Sequence, residues 1–236
     1  MLLPNRLERA RVLTYGYSPS PDPNPAESKL NVFKDAERLL EALVDNRRPA
    51  NGSSRPLILI AHGSGGLLCK KAILLSRTHR DTSYRTVFAS LLGVAFMGTP
   101  HGGSWAKQWA DIPASVLGLP ATPKRSFLQA LGLDRQVLEA IHSDFVSLVQ
   151  DLGQGHCFEM VSFYEELPLN DALTKISTKE YVSLQRSTAL QLKGNHIDMS
   201  RFNSIDDQGF QRVLGYLLRW TASTRSVRRE TPSRHR

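Results

Sequence analysis

Short continuous apolar runs alternate along this chain with stretches of helical period, the pattern of strands and helices taken in turn. Residues 57–60 read as a buried strand. After the corner Ala61-His62-Gly63-Ser64-Gly65-Gly66, a helix carries Leu67, Leu68, Ala72, Ile73 and Leu75 on its apolar side. Residues 11–17 (RVLTYGY) are a strand candidate, and prolines at 19, 21, 23 and 25 predict an exposed extended loop. Residues 30–46 place Leu30, Phe33, Leu40, Leu43 and Val44 near helical spacing, with Ser28 as a candidate cap and a turn at 51–54. Residues 91–97 predict another strand, 105–117 a helix, 120–126 a break, and 134–152 a strongly amphipathic helix through Val137, Leu138, Ile141, Phe145, Leu148, Val149 and Leu152. Residues 157–164 and 188–192 are further strands. A final helix at 206–220 shows Phe210, Val213, Leu214, Leu217 and Leu218 on one face. Strand and helix in alternation predict an α/β fold with a mainly parallel sheet flanked by helices.

Composition narrows the class. At 236 residues, 41% hydrophobic and 22% charged, the chain has ordinary globular usage for one domain, assigned to residues 1–220. No apolar run is long enough for a transmembrane segment, and the first residues are too short and too soon broken for a signal peptide, so the expected location is intracellular and cytoplasmic. Cys69 and Cys157 give neither a disulfide framework nor metal spacing and are expected in the core; no cofactor and no metal are predicted. The net charge of +8 is half accounted for by residues 221–236, where five arginines face Glu230 alone. That stretch is expected to be a disordered basic tail. No specific nucleic acid is implied, because no aromatic ladder or recognition module accompanies the charge.

The chemistry gathers at strand ends. A strand that breaks through glycines straight into a helix is used either as a nucleophile elbow, GxSxG, or as a phosphate cradle. In the elbow register Ala61 takes the first glycine position, Gly63 the serine position and Gly65 the last, so Ser64 stands one place late. The strand at 91–97 ends in Gly98-Thr99-Pro100-His101-Gly102-Gly103-Ser104, where His101 is expected to brace the loop. His142 and Asp144 flank the amphipathic stripe and are expected at the surface. Glu165 and Glu166 end the next strand, and His196 lies in the loop after the last, within Lys193-Gly194-Asn195-His196-Ile197-Asp198-Met199. Elbow, acid and histidine at successive strand ends is the chain order of an α/β-hydrolase: a hydroxyl needs a base in reach, and the base a carboxylate that fixes its tautomer.

Four stretches, AHGSGGLLCKKAILLS, GVAFMGTPHGGS, VSFYEELP and GNHIDMSRF, stand in that order. Together they resemble the fungal lipase-like α/β-hydrolase domains related to serine-active-site-containing proteins and found on NACHT-type receptors. The likeness spans residues 11 to 220. It implies His196 as base and Glu165 as acid, with Glu166 or Asp171 as fallbacks, and an ester or lipid as ligand. It also implies a departure, because the family's nucleophilic serine falls on Gly63 and Ser64 takes the place of a leucine. Relatives open with a further strand and a His-Gly loop that helps form the oxyanion hole, whereas this chain opens near the following strand. An uncovered sheet edge there would suit a protein partner or a homo-oligomer.

Three function classes follow. One is an ester or lipid hydrolase working through Ser64, or through water activated by His196. The second is an inactive hydrolase-like module with a regulatory or interaction role. The third is a nucleotide-binding protein with Gly63-Ser64-Gly65-Gly66 as cradle, and it fails on detail: GxGxxG breaks at Leu68, and Lys70 stands in no GxxxxGK[ST] frame.

Overall fold

Four parallel strands, each rich in apolar residues, pair side by side in chain order in a computed structural model that describes residues 2–16, 25–48, 54–101, 135–152, 158–169 and 175–229. They are β1 (Leu57–His62), β2 (Leu91–Met97), β3 (Glu159–Glu165) and β4 (Ser187–Leu192). One row across the sheet runs from Ile60 through Ala95 and Val161 to Thr188. Because every strand points the same way, the carboxyl ends at His62, Met97, Glu165 and Leu192 share one edge, where an open α/β sheet presents its ligands.

Alternation along β2 sorts the two faces. Val94 and Phe96 enter one core with Leu39, Leu68, Ile73, Phe145 and Phe158, while Ala95 and Met97 enter the other with Phe163, Val213, Leu217 and Trp220. The first core is supplied by α2 (Pro25–Arg47), α3 (Gly65–Thr78) and α5 (Arg135–Asp151), with Phe88 of α4 (Thr82–Ala89) packed against it, while Val87 joins Leu40 and Val44 in a small separate cluster. The second is closed by α7 (Gln208–Arg229). Two single-turn helices complete the described α-helices, α1 (Leu3–Arg6) and α6 (Lys179–Val182). Each fully buried Leu, Ile or Phe contributes about 1.5–3 kcal/mol by leaving water, so these two aliphatic and aromatic layers carry the fold.

The structure departs from the sequence pattern in identifiable ways. Residues 11–16 form no strand: they are exposed and irregular, held by Arg11, which donates to the carbonyl of Asn46 at 3.2 Å and to its side chain at 3.0 Å. A strand needs a paired neighbour, which local propensity cannot supply. Helix α2 starts at Pro25, so the last of the four prolines opens a helix, since a missing N–H costs nothing in the first turn. Ser28 therefore lies inside α2 and is no cap. Helix α4 has too little apolar periodicity to announce itself. It is set by Asp81, whose carboxylate accepts from the Ser83 N–H at 2.8 Å. Helix α7 continues to Arg229, into the stretch assigned to a disordered tail, and Leu218 on it is 45% exposed rather than core. Cys69 is buried, whereas Cys157, residues 51–53, 105–117 and 120–126, and Asp171 lie outside the described residues. Among the described residues no helix is long and apolar enough to cross a membrane.

Close approach of α7 to the sheet depends on Gly93. A Cβ there would stand 2.5 Å from the Trp220 ring, which is itself fully buried. Gly93→Ala is expected to cost about 1–3 kcal/mol by overpacking, measured by chemical denaturation. Adding Trp220→Leu should make the alanine nearly neutral relative to Trp220→Leu alone; an equal cost in both backgrounds would show that the ring is not the obstacle.

Candidate active site

The corner after β1 turns within one residue. Gly63 has φ +53, a left-handed conformation that a residue with a Cβ adopts only under strain. Its N–H donates to the Met97 carbonyl at 2.9 Å, and its own carbonyl accepts from the Thr99 hydroxyl at 2.9 Å and the Gly66 N–H at 3.1 Å. Thr99 thus ties the corner to the loop after β2. Gly66 admits this contact, since a Cβ on it would lie 2.2 Å from the threonine side chain. Ser64 follows as N-cap of α3 in helical conformation (φ −63, ψ −22), and its side chain does not cap the helix.

From the other side comes the loop after β4. The Asn195 side chain accepts from the N–H groups of Ile197 and Asp198, both at 3.0 Å, and its carbonyl accepts from Met199. These bonds curl the chain into a single turn of 3₁₀ helix at Asp198–Ser200 and seat the buried Met199. Glu166 N–H donates to the carbonyls of Leu192 and Gly194, and Leu167 N–H to that of Gly194, joining the ends of β3 and β4. His196 is carried on this braced loop, 4% exposed.

The result brings together Gly63, Glu165 and His196. A Cβ built on Gly63 would stand 3.2 Å from His196 Nε2. On the far side of the ring Nδ1 lies 3.7 Å from Glu165 Oε2, an ion-pair distance longer than a hydrogen bond. Glu165 is fully buried and its other oxygen accepts from the Ser177 N–H at 2.8 Å. Burial raises the Glu165 carboxyl to about 7, against the opposing effect of backbone bonds from Ser177 and Ile176, and lowers His196 to about 3, with His62 adding to the depression. Both groups are thereby held neutral more readily than in water. Glu166 is exposed, one residue beyond the strand and away from this arrangement.

Two side chains that patterning alone did not single out complete the surroundings. His62 Nε2 lies 2.7 Å from the His196 carbonyl; a carbonyl only accepts, so His62 carries its proton there and donates. The two rings are 4.8 Å apart. Thr99 is the second, and the cue for both is adjacency in sequence to a strand-end glycine. His101 does not brace its loop. It is fully buried and, among the described residues, neither ring nitrogen is hydrogen-bonded, and His142, expected at the surface, has a buried Nδ1 without a partner there. Among the described residues no group of three or more His, Cys, Asp or Glu could hold a metal ion.

The carboxyl of Glu165 offers a direct check. Because its folded value is raised, its contribution to stability is full below its ordinary value of 4.5 and is lost as pH rises through about 7. Glutamine cannot ionise. Glu165→Gln should therefore gain about 1–3 kcal/mol relative to the unsubstituted protein between pH 5 and pH 8.5, followed by thermal denaturation. Parallel curves would refute the assignment.

No protein-family model matches the chain. Protein SERAC1 of Homo sapiens is 26% identical over 196 residues, covering 82% of this chain and 28% of that protein, and protein SERAC1 of Bos taurus is 24% identical over the same length. The chain thus spans little more than a quarter of the curated relatives it matches. Among solved structures, the esterase domain of a Rhodothermus marinus protein superposes with TM-score 0.44 and 14% identity, covering 85% of this chain and 82% of that one. A monoacylglycerol lipase of Paleococcus ferrophilus superposes with TM-score 0.43 and 10% identity, covering 80% and 76%.

Proposed function

We propose that this chain is an α/β-hydrolase-type protein whose serine-esterase site lacks its nucleophile, so that it hydrolyses esters weakly or not at all and serves a regulatory or interaction role. The observation that carries the proposal is the Cβ direction of Gly63. It points at His196 Nε2, 3.2 Å away, from a backbone at φ +53. A serine there would place its hydroxyl beside a base whose other nitrogen faces a carboxylate, the arrangement of a hydrolytic triad. In such a site the hydroxyl oxygen attacks an ester carbonyl, its proton passes to Nε2, and the departing alcohol takes that proton back. Glycine has no oxygen to begin the sequence. The Ser64 N–H, one place after the tip, remains as a candidate donor to an oxyanion. The ligand class is an ester or lipid small molecule, and a kinship with receptor-borne hydrolase domains belongs to the same proposal.

Gly63→Ser tests the reading. The unsubstituted protein should resist a fluorophosphonate probe and turn over nitrophenyl esters negligibly, whereas Gly63→Ser should become labelled. Adding His196→Ala should abolish that labelling, since removing the base costs on the order of 10⁶ in turnover in a serine protease. The serine should also destabilise the fold by about 1–2 kcal/mol, the cost of a side chain in left-handed backbone. Robust labelling of the unsubstituted protein, lost on Ser64→Ala, would instead make Ser64 the nucleophile and overturn the proposal.

A further inference from the structure

Three basic side chains from three elements meet behind the corner. Lys70 lies on α3, His101 follows β2 two residues beyond Thr99, and His142 lies on α5 three residues before Phe145. Lys70 and His101 are both 0% exposed. Among the described residues, Lys70 Nζ, both ring nitrogens of His101 and Nδ1 of His142 are buried without a hydrogen-bond partner. The walls around them are aromatic: Nζ lies 5.9 Å from the Phe96 ring centre and 5.7 Å from that of Phe145, and the His101 ring stands edge-on to Phe96 at 4.6 Å. Ring faces attract a cation, yet they give an N–H group no full acceptor.

Buried donors without acceptors are rare in folded proteins, and a set of them converging on one place calls for a ligand that accepts. Lys70 and His142 oppose protonation of His101, and Lys70 opposes that of His142, so the three do not carry charge together. A carboxylate would relieve that opposition, but among the described residues none bears on any of the three. The donor set also sets the ligand's charge. Lys70 can supply one positive charge, and neutral imidazoles add N–H donors without adding charge, so one negative charge is matched and two would leave an excess in a low-dielectric interior.

We propose that Lys70, His101 and His142 form a binding site for a small monoanion, a halide or a short carboxylate, behind the elbow. The site is independent of the esterase reading, since it uses neither Gly63 nor His196. Its occupant would hold His101, and through the one intervening residue, Pro100, also Thr99, whose hydroxyl fixes the Gly63 carbonyl.

The test compares thermal denaturation in sodium gluconate with chloride, bromide or formate at equal ionic strength, together with line broadening of the chloride NMR signal. Expected is a rise in Tm that grows with the logarithm of anion concentration above Kd and reaches several degrees at about 100-fold excess, with chloride broadening that the competing anion reverses. Lys70→Met, of similar length and apolar, should fold in gluconate and lose the anion-dependent rise. His101→Gln, which keeps a donor, should weaken the response without abolishing it. A response to formate alone assigns a carboxylate occupant, and one to halides alone assigns a halide. Equal Tm in all four salts without chloride broadening, or a response unchanged in both Lys70→Met and His101→Gln, would overturn the proposal.

Discussion

A parallel strand can hand its chain to a helix within one residue only if the turning peptide is held at both ends, and at Gly63 it is. The amide is fixed by Met97 on the neighbouring strand and the carbonyl by Thr99 and Gly66. Thr99 also packs against Gly66, so the pairing of β1 with β2, the direction of α3 and the left-handed turn form one mechanical unit. His196 is positioned against that unit from outside. His62, the residue before the turn, donates to the His196 carbonyl, and the joined ends of β3 and β4 carry the loop. A site of this kind requires no strong pairwise attraction between its members. Their spacing is imposed by backbone bonds on both sides.

Electrostatically the same region departs from what makes a fold stable. Glu165 and His196 face each other at 3.7 Å, each displaced by burial toward its neutral form. Behind the corner Lys70, brought down to about 7 by burial, sits with two histidines between phenylalanine rings. Ordinary cores keep ionisable groups out or pair them, because a desolvated charge costs more than most contacts return. Here such groups are concentrated around one glycine turn.

Most of the frame was readable because it rests on local pattern. The positions of β2, β3, β4 and α5 follow from apolar runs and from the helical period ending in Leu152. That Glu165 and His196 stand at one edge of the sheet was readable too, because the ends of parallel strands share an edge. What escaped depends on partners distant in sequence. Residues 11–16 have the composition of a strand and lack a neighbour to pair with. Pro25 reads as a loop residue until the helix after it is known. The burial of His101 and of His142 Nδ1 requires knowing that Phe96 and Phe145, 49 residues apart in the chain, meet edge to face at 6.2 Å. The bond from His62 to His196 spans 134 residues and has no local sign.

The strand that carries the turn is also the end member of the described sheet, with Ile60 43% exposed near its middle. Among the described residues its ladder is therefore single-sided, and the amides not facing β2 lack the strand partners that the central strands have. Local opening free energies are lowest where backbone hydrogen bonds are fewest and solvent is nearest. The alignment of Gly63 with His196 is then limited by how often β1 frays from β2, so that whatever shields that flank would tune the site's occupancy of its ordered state without touching any residue in it.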